Sequence, residues 1–571
     1  MIRIAPKAAE PATRPIQSTR RVADLHGESC MEASMLRKSL GIIVGLATAS
    51  GYVTLSHADD PSLHNHGLGR VHFQTSCTPE AQKQFERALA MLHSFFFPET
   101  VKAFTAIPET DPNCAIAYWG IAMSQRPNPL VGPFDAAILK RGLEAVEKGK
   151  AIGAKTERER DWLAAIEKFY RDYDKVDQDT RTKNYEKAME ALAKKYPDDV
   201  EAKIFYALAL NETFDHKSMA NLVKAIDILE PIDKAYPDHP GVTHYLIHSY
   251  DFPPLADRGI AFANKYAKIA PAAPHAQHMP SHIYTMVGMW NESIRSNLRS
   301  NEVAADYAKK AKLDGTLAGV PHAYDFMEYA YLQLGQDAKA KALIEDTAAV
   351  KKVIGPRLAG STARAAVPAR YMLERQDWRG AAQLLPLGSE FLPAEAITHF
   401  ARTLGAARSG DLAAAEADLQ KLDEIRTELV KANQTYWAGQ VEIQVLGGRA
   451  WLAHAQGKKE EAVKLMRTAA DLEDASAKHV AMENRLYPMR ELLGDMLLEN
   501  GQAQEALTEY ERSMKNARER LRGYYGAAKA AEASGDKEKA AKYFQHLIRL
   551  TKDADTERPE IREAKQKIAA R

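Results

Sequence analysis

Residues 490–514 read RELLGDMLLENGQAQEALTEYERSM, a glycine (Gly501) and, five positions on, a small residue (Ala506) set inside a helical pattern. The same signature recurs at 288–293, 335–340, 410–415, 457–462 and 535–540, and Gly501 and Gly535 are 34 residues apart. A second mark closes units at Asp111-Pro112, Tyr196-Pro197-Asp198 and Tyr236-Pro237-Asp238. Self-similarity at a fixed period of this length predicts stacked supersecondary units that bury a continuous core between neighbours. Some spacings are longer (Gly288 to Gly335 is 47), so several units carry insertions.

The composition agrees. Of 571 residues, 45% are apolar and 27% charged, as in folded proteins. Lys+Arg 77 against Asp+Glu 76 leaves a net charge of +1, without the basic excess of a phosphate-neutralising nucleic-acid binder. Three cysteines supply neither a disulfide scaffold nor a four-thiolate zinc module. No G-x-x-x-x-G-K-[ST], G-x-S-x-G or H-E-x-x-H motif is present, so nucleotide hydrolysis, ordinary serine hydrolysis and zincin chemistry have no support.

The period of 34, the turn glycine, the small residue of the second helix and the closing proline resemble the tetratricopeptide repeat. SCTPEAQKQFERALAMLHSFFF, DPNCAIAYWGIAMS, HAQHMPSHIYTMVGMW and the opening stretch also resemble a broad group of exported bacterial tetratricopeptide proteins of undefined activity. The resemblance covers roughly 78–555. It implies an all-α, right-handed solenoid of about ten helix pairs whose first helices line a concave groove, and it hands over no reaction. The expected division is a His-rich array over 78–345, C-terminal repeats over 346–555, and a polar capping helix and frayed tail over 556–571.

The N-terminus reads as an address. From Met35, Arg37 and Lys38 precede an uncharged run from Gly41 to Leu55, and Ser56-His57-Ala58 is a small-x-small cleavage site. This predicts a signal peptide over 35–58, cleaved near Ala58, a polar extension over 1–34 upstream of the true start, a solvated leader over 59–77, and a periplasmic or secreted chain with no membrane span after cleavage. In an oxidising compartment the remaining pair, Cys77 and Cys114, is expected to form a disulfide.

Eight of the 18 histidines lie between His216 and His322. His244 and His248 form one H-x3-H pair and His278 and His282 another, offset by 34, one repeat length. An i,i+4 pair sets both rings on one helix face, and packed helices lie about 8–10 Å apart, so the two pairs can converge on one or two ions. In the repeat register the resemblance implies, His275, His278 and His282 take the second, fifth and ninth groove-facing positions of one unit. His244 and His248 take the fifth and ninth of the unit before, and His322, Asp325 and Tyr329 take all three in the unit after. The expected metal set is His244, His248, His278 and His282, completed or supported by His275, His322 and Asp325. His93, Trp119, Glu212, Asp251 and Tyr329 are expected along the groove. Imidazole-rich sites suit Cu, Fe, Ni or Zn rather than Mg or Ca. Copper or iron points to an oxidoreductase and zinc to a hydrolase, acting on a small or extended substrate, with no catalytic residue assigned. The alternatives are a scaffold binding a peptide or partner protein in the groove, or metal storage and delivery.

Overall fold

The computed structural model describes residues 67–97, 99–480, 482 and 484–570, and everything from 67 onward belongs to one compact unit. The expected extension and signal peptide lie outside the described residues. The fold is an all-α, tetratricopeptide-like solenoid. Antiparallel helix pairs follow one another from Pro79–His93 with Glu99–Thr110 to Leu521–Ala533 with Lys537–Leu550, and Pro559–Ala569 caps the array. Among the described residues there are twelve pairs, two more than expected.

The signature glycines have a conformational reason. Gly288, Gly335, Gly410, Gly457, Gly501 and Gly535 all have φ between 69° and 90°, the left-handed conformation in which a side chain is penalised. The unit built from Arg357–Glu374 and Trp378–Ala382 makes the same turn with Gln376 at φ 54°, so the glycine signature passes over it. Second helices are amphipathic. In Lys537–Leu550, Asp536 caps the N-terminus by accepting from Lys539 N, and Ala540, Ala541, Phe544 and Leu547 form the buried stripe. The long spacing after Gly288 is taken up by the 21-residue helix Trp290–Lys310 and by Thr316–Leu317, which pairs in parallel with Val353–Ile354.

One large apolar core runs from Leu68 to Tyr284 and a second from Ala365 to Ala564. The segment 67–77 is not a solvated leader. Leu68 and Phe73 are buried, Arg70 N donates to Asp238 O, and Cys77 is disulfide-bonded to Cys114, although the His72 side chain does face solvent.

The array also closes on itself. Trp290 Nε1 donates to Glu519 O (2.7 Å), Arg518 pairs with Asp257, and Arg558 and Asp337 form a buried ion pair. The final turns therefore pack back across the middle of the chain, and Arg558 and the Pro559–Ala569 helix form part of that joint rather than a frayed end. Buried ion pairs continue the seam: Arg370 with Glu328 (2.6 Å), and Arg520 with Glu374 (2.6 Å) and Glu491 (2.7 Å). Part of the expected concave groove is thus filled by the chain itself. No helix among the described residues is long and apolar enough to cross a membrane.

Candidate metal centre

Proline sets the helices that carry the histidines. Pro240 opens Pro240–Tyr250, where His239 caps the N-terminus by accepting from Val242 N through Nδ1. His244 and His248 lie one turn apart on this helix. The second pair departs from the single helix expected, because Pro280 has no N–H to donate and splits the element into Pro274–His278 and Pro280–Val287. Met279 between them keeps helical dihedrals, so His278 and His282 still face each other. His322 stands in the first turn of Gly319–Gln333.

Six rings form two triads, His244/His248/His275 and His278/His282/His322, and within each triad one ligand nitrogen per ring lies within 4.8 Å of the others. In the first, His244 Nε2 is 3.1 Å from both His248 Nε2 and His275 Nε2. In the second, His278 Nε2 is 3.0 Å from His282 Nε2. The triads adjoin, with the His248 and His282 ring centroids 6.0 Å apart. Each is walled by one phenylalanine: Phe95 edge-on to His244 (4.5 Å), and Phe326 against His278 (4.9 Å), His282 (5.0 Å) and His322 (5.2 Å).

The far sides of three rings fix their tautomers. His244 Nδ1 donates to the backbone carbonyl of His93 (2.6 Å), which can only accept. His278 Nδ1 donates to Asn297 Oδ1 (2.6 Å), an oxygen oriented by Asn297 Nδ2 donating to Ser293 O. His282 Nδ1 donates to Asp251 Oδ2 (2.8 Å), which also accepts from Lys478 Nζ (2.8 Å). A neutral imidazole carries one N–H. His244 and His278 both spend theirs at Nδ1, so each turns an Nε2 lone pair toward its neighbours, His248 and His275 at 3.1 Å and His282 at 3.0 Å. Two imidazoles on one ion, at about 2.0–2.1 Å each, stand about 2.9 Å apart at right angles and about 3.4 Å apart in a tetrahedron. The observed separations fall inside that range. Acceptors behind Nδ1 are also the partners that orient metal-bound histidines.

Burial favours the neutral form of His244, His248, His275, His278 and His322. His244, His248, His278 and His282 are between 0% and 4% exposed, and only His275 and His322 are partly open. Burial, then the neighbouring rings, holds His244, His248, His275 and His278 well below the ordinary histidine range, and takes His322 down to about 3. The Nδ1 atoms of His248 and His322 are buried without a hydrogen-bond partner.

A third cluster contrasts with these. His93 Nε2 and His239 Nε2 both approach Glu201, at 2.9 and 3.0 Å, and Tyr245 Oη lies 3.0 Å from His93 Nδ1. Every contact here matches a donor with an acceptor. Burial works against the Glu201 carboxylate, but His93 and His239 outweigh it and hold its pKa low. This cluster is a satisfied scaffold, and it presents the His93 carbonyl to His244.

The other residues expected at the site go elsewhere. Asp325 does not join a triad: its carboxylate is held by Arg370 (2.8 Å) and by Asn484 Nδ2 (2.6 Å). Trp119 is part of an aromatic core with Phe73, Trp162 and Phe205 rather than a groove wall. Glu212 is buried against Arg126 (2.7 Å), and the Tyr329 hydroxyl accepts from Arg520 (2.9 Å). Asp251 alone among the groove acids touches a triad. Asn297, Phe95, Phe326 and Lys478 were not anticipated. Asn297 sits on a second helix, and Lys478 arrives from a segment 227 residues away from Asp251 in the chain.

No protein-family model matches the chain, and no curated protein is similar to it. Among solved structures, the chain is similar to a tetratricopeptide repeat protein from Parabacteroides merdae, at 13% identity over 52% of this chain and 98% of that one, TM-score 0.30. It is also similar to the human IFIT1 dimer with PPP-AAAA, at 11% identity over 86% and 94%, TM-score 0.36. A third likeness is the APC/C hetero-tetramer Cut9-Hcn1, at 10% identity over 86% and 89%, TM-score 0.31. These likenesses are too distant to bear on the site.

Proposed function

We propose that the protein is an exported metalloprotein whose helical-repeat array holds up to two transition-metal ions, one in each histidine triad. The carrying observation is the convergence of two sets of three imidazoles, each with one ligand nitrogen per ring within 4.8 Å of the others, with the Nδ1 protons of His244 and His278 committed behind their rings. A proton on one ring is the other way to join neighbouring imidazoles, but burial resists charging either triad, whereas a metal ion gains from converging imidazoles. All-nitrogen triads favour Cu, Zn or Fe. Copper or iron would give the site redox chemistry and zinc hydrolytic chemistry, and the open sides of His275 and His322 are where a reactant would approach. The disulfide Cys77–Cys114 supports export to an oxidising compartment. Burial of the rings speaks against a peptide lying on them, and storage differs from catalysis in having readily exchanged metal.

The test is elemental analysis of chain started at Met35, exported, and purified without chelator or His tag. One or two equivalents of Cu, Fe or Zn are expected. A metal-free chain that also refuses added Cu, Fe and Zn would overturn the reading.

A further inference from the structure

Outside the triads, a cavity of about 120 Å³ opens in the C-terminal half of the array. Three successive first helices wall it: Arg357–Glu374 through Thr362, Leu392–Ser409 through Phe400, and Thr435–Ala455 through Tyr436, Trp437 and Gln444. Asn484 and Lys478 close the side toward the histidines.

Three polar atoms in this wall are buried without a hydrogen-bond partner: Thr362 Oγ1, Gln444 Oε1 and Asn484 Oδ1. The orientation of Asn484 is settled, because its Nδ2 donates to Asp325 Oδ2, which leaves Oδ1 as an acceptor with nothing to accept. Unmet buried polar atoms are rare in folded proteins and call for an explanation. The charged groups of the wall are engaged: Lys478 with Asp251 (2.8 Å) and Arg485 with Glu473 (3.1 Å). What the cavity offers is therefore flat aromatic faces, an apolar lining and acceptors that need donors, with its charges already paired.

We propose that this cavity binds an uncharged organic molecule with a flat apolar body and two or more hydroxyl groups, the chemistry of a catechol. The aromatic rings Phe400, Tyr436 and Trp437 take the flat body. The hydroxyls donate to Gln444, Asn484 and Thr362, and the paired charges disfavour an ionised ligand. The site stands on the cavity alone and does not require the metal. It shares a wall with the triads, since Lys478 lines it and also holds Asp251, the acceptor for His282.

The experiment is calorimetric titration of the full mature chain, stripped of metal by chelator so that a diol has no ion to bind. Catechol, benzoate and toluene are the probes. Catechol is expected to bind saturably and at least tenfold more tightly than either comparator. The Thr362→Val/Gln444→Met double variant, with an unchanged helical spectrum, is expected to lose at least tenfold. Thr362→Val alone serves if the double variant does not fold. Absence of saturable catechol binding would overturn the proposal. So would toluene binding as well as catechol, which would reduce the cavity to an apolar void, or a folded variant binding catechol as tightly as the parent.

Discussion

Three of the six triad rings are pointed by an acceptor behind them, and Asn297 is the cleanest instance. Asn297→Leu keeps the volume but removes the acceptor that fixes His278 Nδ1. Loss of such an orienting partner typically weakens metal affinity about 10–100-fold. A competitive metal titration should show that loss for one equivalent while the other stays tight. Equal weakening of both equivalents would mean one shared site. The triads can be counted in the same way. His244→Ala should remove one equivalent and His278→Ala the other, each with an intact helical spectrum, and retention of full stoichiometry in both would end the two-ion assignment.

At the scale of the element, the first helices carry the site and glycine lets them pack. A Cβ on Gly241 would stand 2.2 Å from His93 Nδ1, so Gly241→Ala must push the ring whose backbone carbonyl holds His244. Overpacking of this kind typically costs about 1–3 kcal/mol. Denaturant midpoints should show the loss, with weakened metal retention at the first triad and not the second. If stability falls but both triads retain metal equally, the His93 carbonyl is not what orients His244. This scale also separates what was legible in the sequence from what was not. The 34-residue offset between the histidine pairs is a repeat property, and the fold does set the two pairs on successive first helices. The same register groups Asp325 with His244 and His278 as fifth-position residues, and Trp119 is expected along the same groove; for both it misleads. A register gives a direction and not a neighbour: Arg370 takes Asp325, and Phe73, from a segment before the first repeat, packs on Trp119. Asn297 and Lys478 belong to a second helix and a distant connection, where no periodic signal marks them.

Across the whole molecule the decisive feature is that the C-terminal repeats return to the N-terminal ones, and one joint makes that return sensitive to acid. His216, between two N-terminal helices, packs on Tyr436 (centroids 4.2 Å) and His479 (5.7 Å), and its carbonyl accepts from Ala477 N (2.8 Å). Burial brings His216 down to about 4, and burial together with the His216 ring brings His479 down to about 3. Both therefore fold as neutral rings, whereas the unfolded chain takes up protons below the ordinary histidine value of 6.5. Stability from this joint is complete above about pH 6.5 and falls as the pH drops toward the folded values, since the unfolded state then binds more protons. With about 1.36 kcal/mol per pKa unit, each residue withdraws about 2 kcal/mol by pH 5, about 4 kcal/mol for the pair. The measurement is urea unfolding of metal-free chain at pH 7.5 and pH 5, beside a His216→Gln/His479→Gln variant that cannot be charged. The parent should lose about 4 kcal/mol more than the variant between those pH values. Parallel losses in the two chains would place the acid sensitivity elsewhere and leave this joint a packing contact only.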